Sequence, residues 1–485
     1  MTQGVSKRGG NIGGPEDLLK LLGAAGLKER IFFTLGMIAI YRIGVHIPIP
    51  GVDPKAFTQH PELAQSLLGM IDLFTGGALN KLSIFSMGIG PYITSSIIMQ
   101  LMGVVIPKFE DMQKNQGEQG RKQLQQYTRY ACVALAVFQS FMLARLLGGI
   151  QNPPVVLTPG LPFLVNTTII LTASAVFVMW LGELITERGV GNGASLLIFL
   201  GIASRLPVMI KNTYDAVQTG QTPTWGVAGL TIVFLGLVVL IVILQQGVRK
   251  LMVLGARRNL GRQVFAAPDD YLYLPVNPSG VMAIIFASSL LMFPTTVMQF
   301  INRSSVNPFD LVYQNAIKLN GIGPQFQAFC NQEWVKGFWG DLTQFTANCF
   351  SYYHWEHSAI YFLLILFFAF FYASIVLPTR DMAENLRRSG RAIQGVRPGR
   401  PTAEFLEKTL NRLIVIGAMA IAIIAILPIH AEQAFYVQTL QGLGSTSLII
   451  LVGVAIDTQR QIMTHALSAR YQARGLFKSS DKRDI

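Results

Sequence analysis

WGVAGLTIVFLGLVVLIVILQQG, Trp225–Gly247, carries no charged side chain, and its only hydrogen-bonding side chains beyond the Trp indole are Thr231, Gln245 and Gln246. A helix of about 20 such residues covers the ~30 Å of hydrocarbon in a bilayer. Hydrocarbon offers backbone N–H and C=O groups no outside partner, so a run of this kind must close its hydrogen bonds internally, as a helix. Working outward, comparable runs lie near Glu29–Val45, Ser83–Ile106, Thr128–Leu147, Leu161–Ile185, Gly193–Met209, Pro278–Met298, Ser358–Leu377, Leu413–Pro428 and Leu440–Asp457. The whole is an expected all-α polytopic membrane protein of ten transmembrane helices. Composition agrees, with 51% of the 485 residues hydrophobic and only 13% charged. Gly193–Met209 is the weakest run, because Arg205 and Pro207 interrupt it. Met1–Lys28 is polar, with Gly-rich Gly9–Gly14 and no cleavage site after an apolar core, so the first span is expected to be retained.

An even number of spans puts both termini on one side. Most of the 39 Lys and Arg border spans on that side, once Arg30, Arg129 and Arg205 are assigned to their adjoining loops. The positive-inside rule makes it cytoplasmic. Two loops there are densely basic: Arg249, Lys250, Arg257, Arg258 and Arg262 between spans six and seven, and Arg380, Arg387, Arg388, Arg391, Arg397 and Arg400 between eight and nine. Topology alone accounts for most cytoplasmic cations, yet clusters of this density also suit an acidic protein surface or an RNA backbone.

Ten spans divide into residues 29–211 and 225–458, with 1–28 and 459–485 as cytoplasmic ends and 212–224 as a hinge loop. Five spans per half would invert the second half relative to the first and set a pathway between them. The ionisable candidates within spans, Arg42, Arg145, Glu183 and Asp457, lie mostly near the ends of runs, which argues against an ion-coupled transporter. GxxxxGK[ST], HExxH and GxSxG are absent, and the three Cys are too far apart for a ligand set. Neither an enzyme, a metal site nor a cofactor is expected; a passive conduit driven by a partner fits better. Glu62–Thr75, ELAQSLLGMIDLFT, is too short to span and ends in Gly76–Gly77. Its helically spaced apolar residues read either as a plug folded into a cavity or as an amphipathic helix on the outer surface, and the residues alone favour the surface helix.

LFTGGALNKLSIFSMGIGPYITSSIIMQLM (Leu73–Met102) closely resembles the plug and second helix of the SecY family of translocon channel subunits. YRIGVHIPIPGVD (Tyr41–Asp53), QYTRY (Gln126–Tyr130), MWLGELITERGVGNGASLLIF (Met179–Phe199), VNPSGVMAIIFASSLLMFP (Val276–Pro294), GVRPGRPT (Gly395–Thr402) and GSTSLII (Gly444–Ile450) resemble it in order along nearly the whole chain. The resemblance implies two inverted five-helix halves around a central pore, through which unfolded secretory polypeptides pass and from which signal sequences leave sideways into lipid. Carried over motif by motif, a pore ring falls on Ile89, Ile93, Ile198, Ile285 and Ile450, and a plug on 62–75 with Leu67, Leu68, Ile71, Phe74, Gly76 and Gly77. A lateral gate falls on Gln100, Asn192 and Asn277. Docking of the ribosome or the SecA motor falls on Arg249, Lys250, Arg257, Arg258 and Arg397. SecE and SecG are the implied small membrane partners, signal sequences and nascent polypeptides the implied clients, and the inner membrane or thylakoid the implied location.

Two features depart from the family pattern. Ile393-Gln394-Gly395 lacks the usual Pro before Arg-Pro-Gly, and the external loop 300–357 is far longer than bacterial members carry. That loop holds Trp334, Trp339, Trp355, Cys330 and Cys349; the two Cys form either a disulfide closing a loop of about 20 residues or two free thiols. The insertion hints at a cyanobacterial or plastid-like member. From residues alone a docking scaffold that conducts nothing remains an alternative, and the aliphatic ring argues against it.

Overall fold

The computed structural model describes residues 27–58, 72, 75–114, 117–150, 154–254, 258–260, 263–265, 270–291, 355–437 and 446–473. The described chain runs α1 (Leu27–Gly44), α2 (Pro54–Thr58), α3 (Gly90–Val105), α4 (Pro107–Lys114), α5 (Gly117–Gly148), α6 (Leu161–Arg188), α7 (Gly193–Gln218) and α8 (Thr224–Gln246). After strands β1 (Val248–Leu254), β2 (Arg258–Leu260), β3 (Gln263–Phe265) and β4 (Asp270–Pro275) come α9 (Met282–Leu291), α10 (Trp355–Val376), α11 (Thr379–Arg388), β5 (Ala392–Ile393), α12 (Arg400–Ala434) and α13 (Leu448–Ala473). Each apolar run read from the sequence overlaps one of these helices; residues 292–298 and 440–445 of two runs lie outside the described residues. Among the described residues, Glu118–Gly148, Leu161–Arg188, Gly193–Gln218, Thr224–Gln246, Trp355–Arg388 and Arg400–Ala434 are long and apolar enough to cross a membrane, while Gly90–Val105 and Met282–Leu291 are shorter apolar helices.

Helix boundaries shift where backbone chemistry overrides hydropathy. The run starting at Ser83 turns helical only at Gly90: Gly88 has φ +53°, outside the helical region, and Pro91, which lacks an N–H, suits the first turn. Residues 76–89 instead make compact turns held to the segment that follows α1, with Ile49 N–H donating to Leu82 O at 2.8 Å and Ile84 N–H to Ile47 O at 2.9 Å. Arg205 lies inside α7 rather than in a loop, because that helix continues to Gln218 through Pro207 and leaves only 219–223 as a connection. Proline removes one ladder hydrogen bond but does not end a helix that packing supports on both sides.

Helix α6 packs on α1, α5 and α7; α12 packs on α8 and α10; and α13 packs on both α7 and α8. Glycines set the closest approaches. A Cβ on Gly193 would lie 1.9 Å from Gly182 O, so α6 and the start of α7 meet backbone to backbone. Small residues allow this kind of contact in a membrane, where close packing rather than water expulsion holds helices together.

The sequence reading contains no strand, yet the two basic loops fold into one antiparallel sheet, ordered β4-β1-β5. β1 pairs with β4 from Val248↔Pro275 to Val253↔Asp270, and with β5 through Val253↔Ile393 and Leu254↔Ala392. Leu251, Leu274 and Ile393 close a small core against Ala383 of α11 and Leu406 and Leu410 of α12. β2 and β3 form a separate hairpin.

Candidate functional site

The largest apolar cluster gathers Ile89 from the turn before α3, Ile93 from α3, Ile198 from α7, Ile285 from α9 and Ile450 from α13. All five are buried, from 0% exposure for Ile450 to 8% for Ile93. Helix α6 backs this cluster: Val178, Leu181 and Ile185 belong to it, and a Cβ on Gly182 would sit 3.3 Å from Ile89 Cδ1. Four separate stretches of chain therefore contribute aliphatic side chains to one buried cluster. In a narrow passage such side chains exclude water and ions, and their rotamers can reshape around a passing chain.

Beside this cluster lies the end of the 62–75 segment. Leu67, Leu68, Ile71 and Phe74 lie outside the described residues, whereas Asp72, Thr75, Gly76 and Gly77 lie within them. The Asp72 side chain is fully buried and surrounded by donors. Its Oδ1 accepts from the N–H groups of Leu79 at 2.9 Å and Asn80 at 3.0 Å and from Thr75 Oγ1 at 3.5 Å; its Oδ2 pairs with Arg205 Nη1 of α7. Burial holds the carboxyl pKa above the usual carboxylate range, and Arg205, the two amides and Thr75 pull it only part of the way back. Tyr41 Oη donates to Thr75 O at 3.2 Å, and Ser204 Oγ donates to Gly76 O at 3.5 Å. Gly76, at φ +72°, is where only glycine fits: a Cβ there would lie 2.9 Å from Gly201 Cα.

Sequence reasoning missed Asp72 and treated Arg205 as a flaw in a span. The available signal was the rarity of an arginine inside an apolar run, which calls for a partner. A second pair, with only its carboxylate buried, was half seen: Glu183 on α6 receives Arg129 Nε at 3.0 Å and Nη2 at 2.9 Å, plus Gln125 Nε2 at 3.2 Å, and this fork ties α5 to α6.

The three amides expected at a lateral gate bond locally. Gln100 Nε2 donates to Ser96 Oγ at 3.1 Å within α3, and Asn192 caps α7 by accepting from Ser195 N–H at 3.3 Å. Asn277 Oδ1 accepts from Ser279 Oγ at 2.8 Å and Gly280 N–H at 3.1 Å, which shapes the turn entering α9. No hydrogen bond joins these amides across helices among the described residues.

Arg249 and Lys250 stand exposed on β1, Lys250 with its ammonium 5.8 Å from the centroid of the Tyr273 ring on β4. Arg397 is exposed in the turn between Gly395 and Gly399, on the loop that contributes β5 to the same sheet. The sheet thus joins Arg249 and Lys250 to the Arg397 loop, though the two basic segments are far apart in sequence. Arg257, Cys330 and Cys349 lie outside the described residues, as does most of loop 300–357; Arg258 lies in β2, and Cys132 is a buried free thiol. No cluster of His, Cys, Asp and Glu able to hold a metal occurs among the described residues.

Comparison with known proteins agrees over most of the chain. The SecY family model matches residues 83–459. The protein translocase subunit SecY of Synechococcus elongatus is 39% identical over 472 residues, spanning 96% of this chain and 99% of that protein. Among solved structures, a SecY channel described for a plug domain that stabilises its closed state superposes with a TM-score of 0.61 at 15% identity, covering 92% of this chain and 94% of that one. Sec61 in the canine ribosome-channel complex from the endoplasmic reticulum superposes with a TM-score of 0.57 at 13% identity, with the same coverage. The buried aliphatic cluster, the all-helical polytopic body and these matches lead to one conclusion: the chain belongs to the SecY family of protein translocase channel subunits.

Proposed function

We propose that this chain is the central subunit of a protein-conducting channel, in which Ile89, Ile93, Ile198, Ile285 and Ile450 form the constriction and 62–75 the plug that closes it from the outer side. The observation that carries the reading is the convergence of those five isoleucines, from four separate stretches, in one buried apolar cluster beside the buried end of the plug segment. Such a ring resists ions without binding any one solute, as a conduit for diverse polypeptides requires. The chain needs no nucleotide site if a partner supplies the work.

In this reading the inverted halves, 29–211 and 225–458, separate between α3 and α9, and a signal sequence leaves through that gap into lipid, with Gln100, Asn192 and Asn277 setting the threshold. The termini and the basic sheet face the cytoplasm, in the inner membrane or the thylakoid. Arg249, Lys250, Arg257, Arg258 and Arg397 there receive the ribosome or SecA, while SecE and SecG complete the membrane complex. The canine relative supports the ribosome assignment, since its channel is in a ribosome complex.

A photo-crosslinking residue at Ile93 or Ile198, offered a stalled secretory chain, tests the reading. Adducts with the translocating segment that vanish when its signal sequence is deleted are the expected result. Absence of adducts while ribosomes still bind through Arg397 would replace the channel with a docking scaffold.

A further inference from the structure

We propose that Gly453 of α13 is a positioning residue that sets how strictly the channel selects signal sequences, by seating Val281 at the entry to α9; the inference rests on the channel reading above. A Cβ on Gly453 would lie 2.0 Å from Val281 Cγ2, so the missing side chain is the notch into which Val281 fits. Val281 is 2% exposed, and its carbonyl accepts from Ile285 N–H at 3.1 Å in the first turn of α9. Ile285 lies four residues beyond Val281, and Ile450 three residues before Gly453. Both isoleucines of the buried cluster are therefore about one helical turn from this contact. The notch fixes how the two helices that carry them meet.

The surroundings decide which helix yields when the notch is filled. Helix α13 is backed by α8: Arg460 Nη2 donates to Gln245 O at 2.7 Å, and Gln245 Nε2 would stand 3.2 Å from the same added Cβ. The far end of the α9 entry is pinned as well. Val276 N–H donates to Gly247 O at 2.9 Å, and a Cβ on Gly417 of α12 would meet Val276 O at 2.4 Å, so that glycine is a second seat. Carbon atoms in contact sit about 3.5–4.0 Å apart, so a methyl at position 453 displaces Val281 by about 1.5 Å. Valine has few χ1 alternatives with which to avoid it. The displacement therefore tilts α9 about its pinned end. A signal sequence opens a channel only by favouring the open state over the closed one. Tilting α9 raises the closed state in free energy, because close packing around Ile285 suits the seated position alone. An intact signal already opens the native channel and gains little. A defective signal, whose contribution falls short, gains the full shift, and discrimination between the two falls.

The test places the complex of this chain with its small membrane subunits in proteoliposomes with the SecA motor and ATP. It measures protease protection of two precursors, one with an intact signal sequence and one with an aspartate introduced into the apolar stretch of its signal. The ratio of the two is the readout, since a variant that is merely less stable loses both alike. Gly453→Ala is expected to lower that ratio on the order of tenfold, a factor equivalent to about 1.4 kcal/mol. It does so although alanine is the better helix former. Combining Gly453→Ala with Val281→Ala removes the colliding methyl and leaves Val281 Cβ, 3.5 Å away, as that residue's nearest atom. The ratio should then return to within about twofold of native. Val281→Ala alone should lower the melting temperature and leave the ratio native, because a cavity does not push α9. Val281→Leu overfills the notch from the other side and should lower the ratio too, which carries the test if Gly453→Ala fails to assemble. A native ratio in assembled Gly453→Ala, or a ratio that the double variant does not restore, would overturn the proposal. If the native complex protects neither precursor, the channel reading itself falls. Native complex that protects the intact precursor, beside Gly453→Ala with the same ratio, removes only the notch.

Discussion

The pore centre and the basic sheet both assemble residues from distant parts of the chain, but by opposite means. At the centre, side chains do the joining: five isoleucines share one buried apolar cluster, and Asp72 reaches Arg205 across 133 positions. In the sheet the backbone does it, through ladder bonds such as those flanking Val253↔Ile393, while the cations point outward. Side-chain packing depends on shape, so nearly any substitution at the centre is felt. Backbone pairing tolerates changes in exposed side chains, which leaves Arg249, Lys250 and Arg397 free to be chosen for a partner. Sealing and docking should therefore be separable by mutation.

The largest effect should come from Gly193→Val. Its Cβ would land 1.9 Å from Gly182 O, and the clash is with backbone, which no rotamer change relieves. Overpacking typically costs about 1–3 kcal/mol, and a backbone collision belongs at the top of that range or above it. The crossing of α6 and α7 also sets the position of Ile198 in the buried apolar cluster, so on the channel reading proposed above sealing should fail along with stability. A marked fall in melting temperature of the purified complex checks this. A variant that melts like the native protein would show that the centre is not shape-limited, and the contrast with the sheet would collapse.

The same contrast explains what could be read beforehand. Trp225–Gly247 announces its helix because apolarity is a local property of consecutive residues. Gly90, where α3 actually begins, is obscured because the run stays apolar from Ser83 while Gly88 quietly departs from helical φ. The sheet is invisible for another reason: β1 and β5 are short, abut helices, and pair across more than a hundred intervening residues. As for the site, an isoleucine at the ring looks like any lipid-facing isoleucine, and only resemblance to a family singles out those five. Asp72 and Arg205 show as isolated anomalies in their own segments, and nothing local says that each is the other's partner.

A smaller effect should follow Ile198→Asn. Ile198 is almost fully buried among aliphatic neighbours, so the amide would enter without a partner at a cost of about 1–3 kcal/mol. The complex should fold with a lowered melting temperature and leak ions, yet ribosomes should bind it as they bind the native protein. Loss of ribosome binding in this variant would mean that the centre and the sheet are coupled through α7 and α13, which sharpens the comparison into a conformational link instead of a simple division.

The smallest effect on the fold, and the largest on docking, belongs to Arg397→Glu. The turn around Arg397 is built by backbone features: Gly395 at φ +80° and Gly399 at φ +109° provide the bends, and Thr402 Oγ1 donates to Arg397 O at 2.8 Å. None of these uses the guanidinium, which is exposed. Charge reversal should leave stability within about 0.5 kcal/mol of native and ion leak unchanged. Binding of ribosomes or of the SecA motor should weaken, most clearly at low salt, because screening already mutes an exposed cation when salt is high. Thermal melting beside a salt series of binding curves separates the two quantities. Should Arg397→Glu unfold the sheet, the cation would be part of the joinery and the division between packing at the centre and pairing at the surface would be wrong; should it bind normally at low salt, docking would rest on Arg249 and Lys250, the cations that β1 itself holds in register.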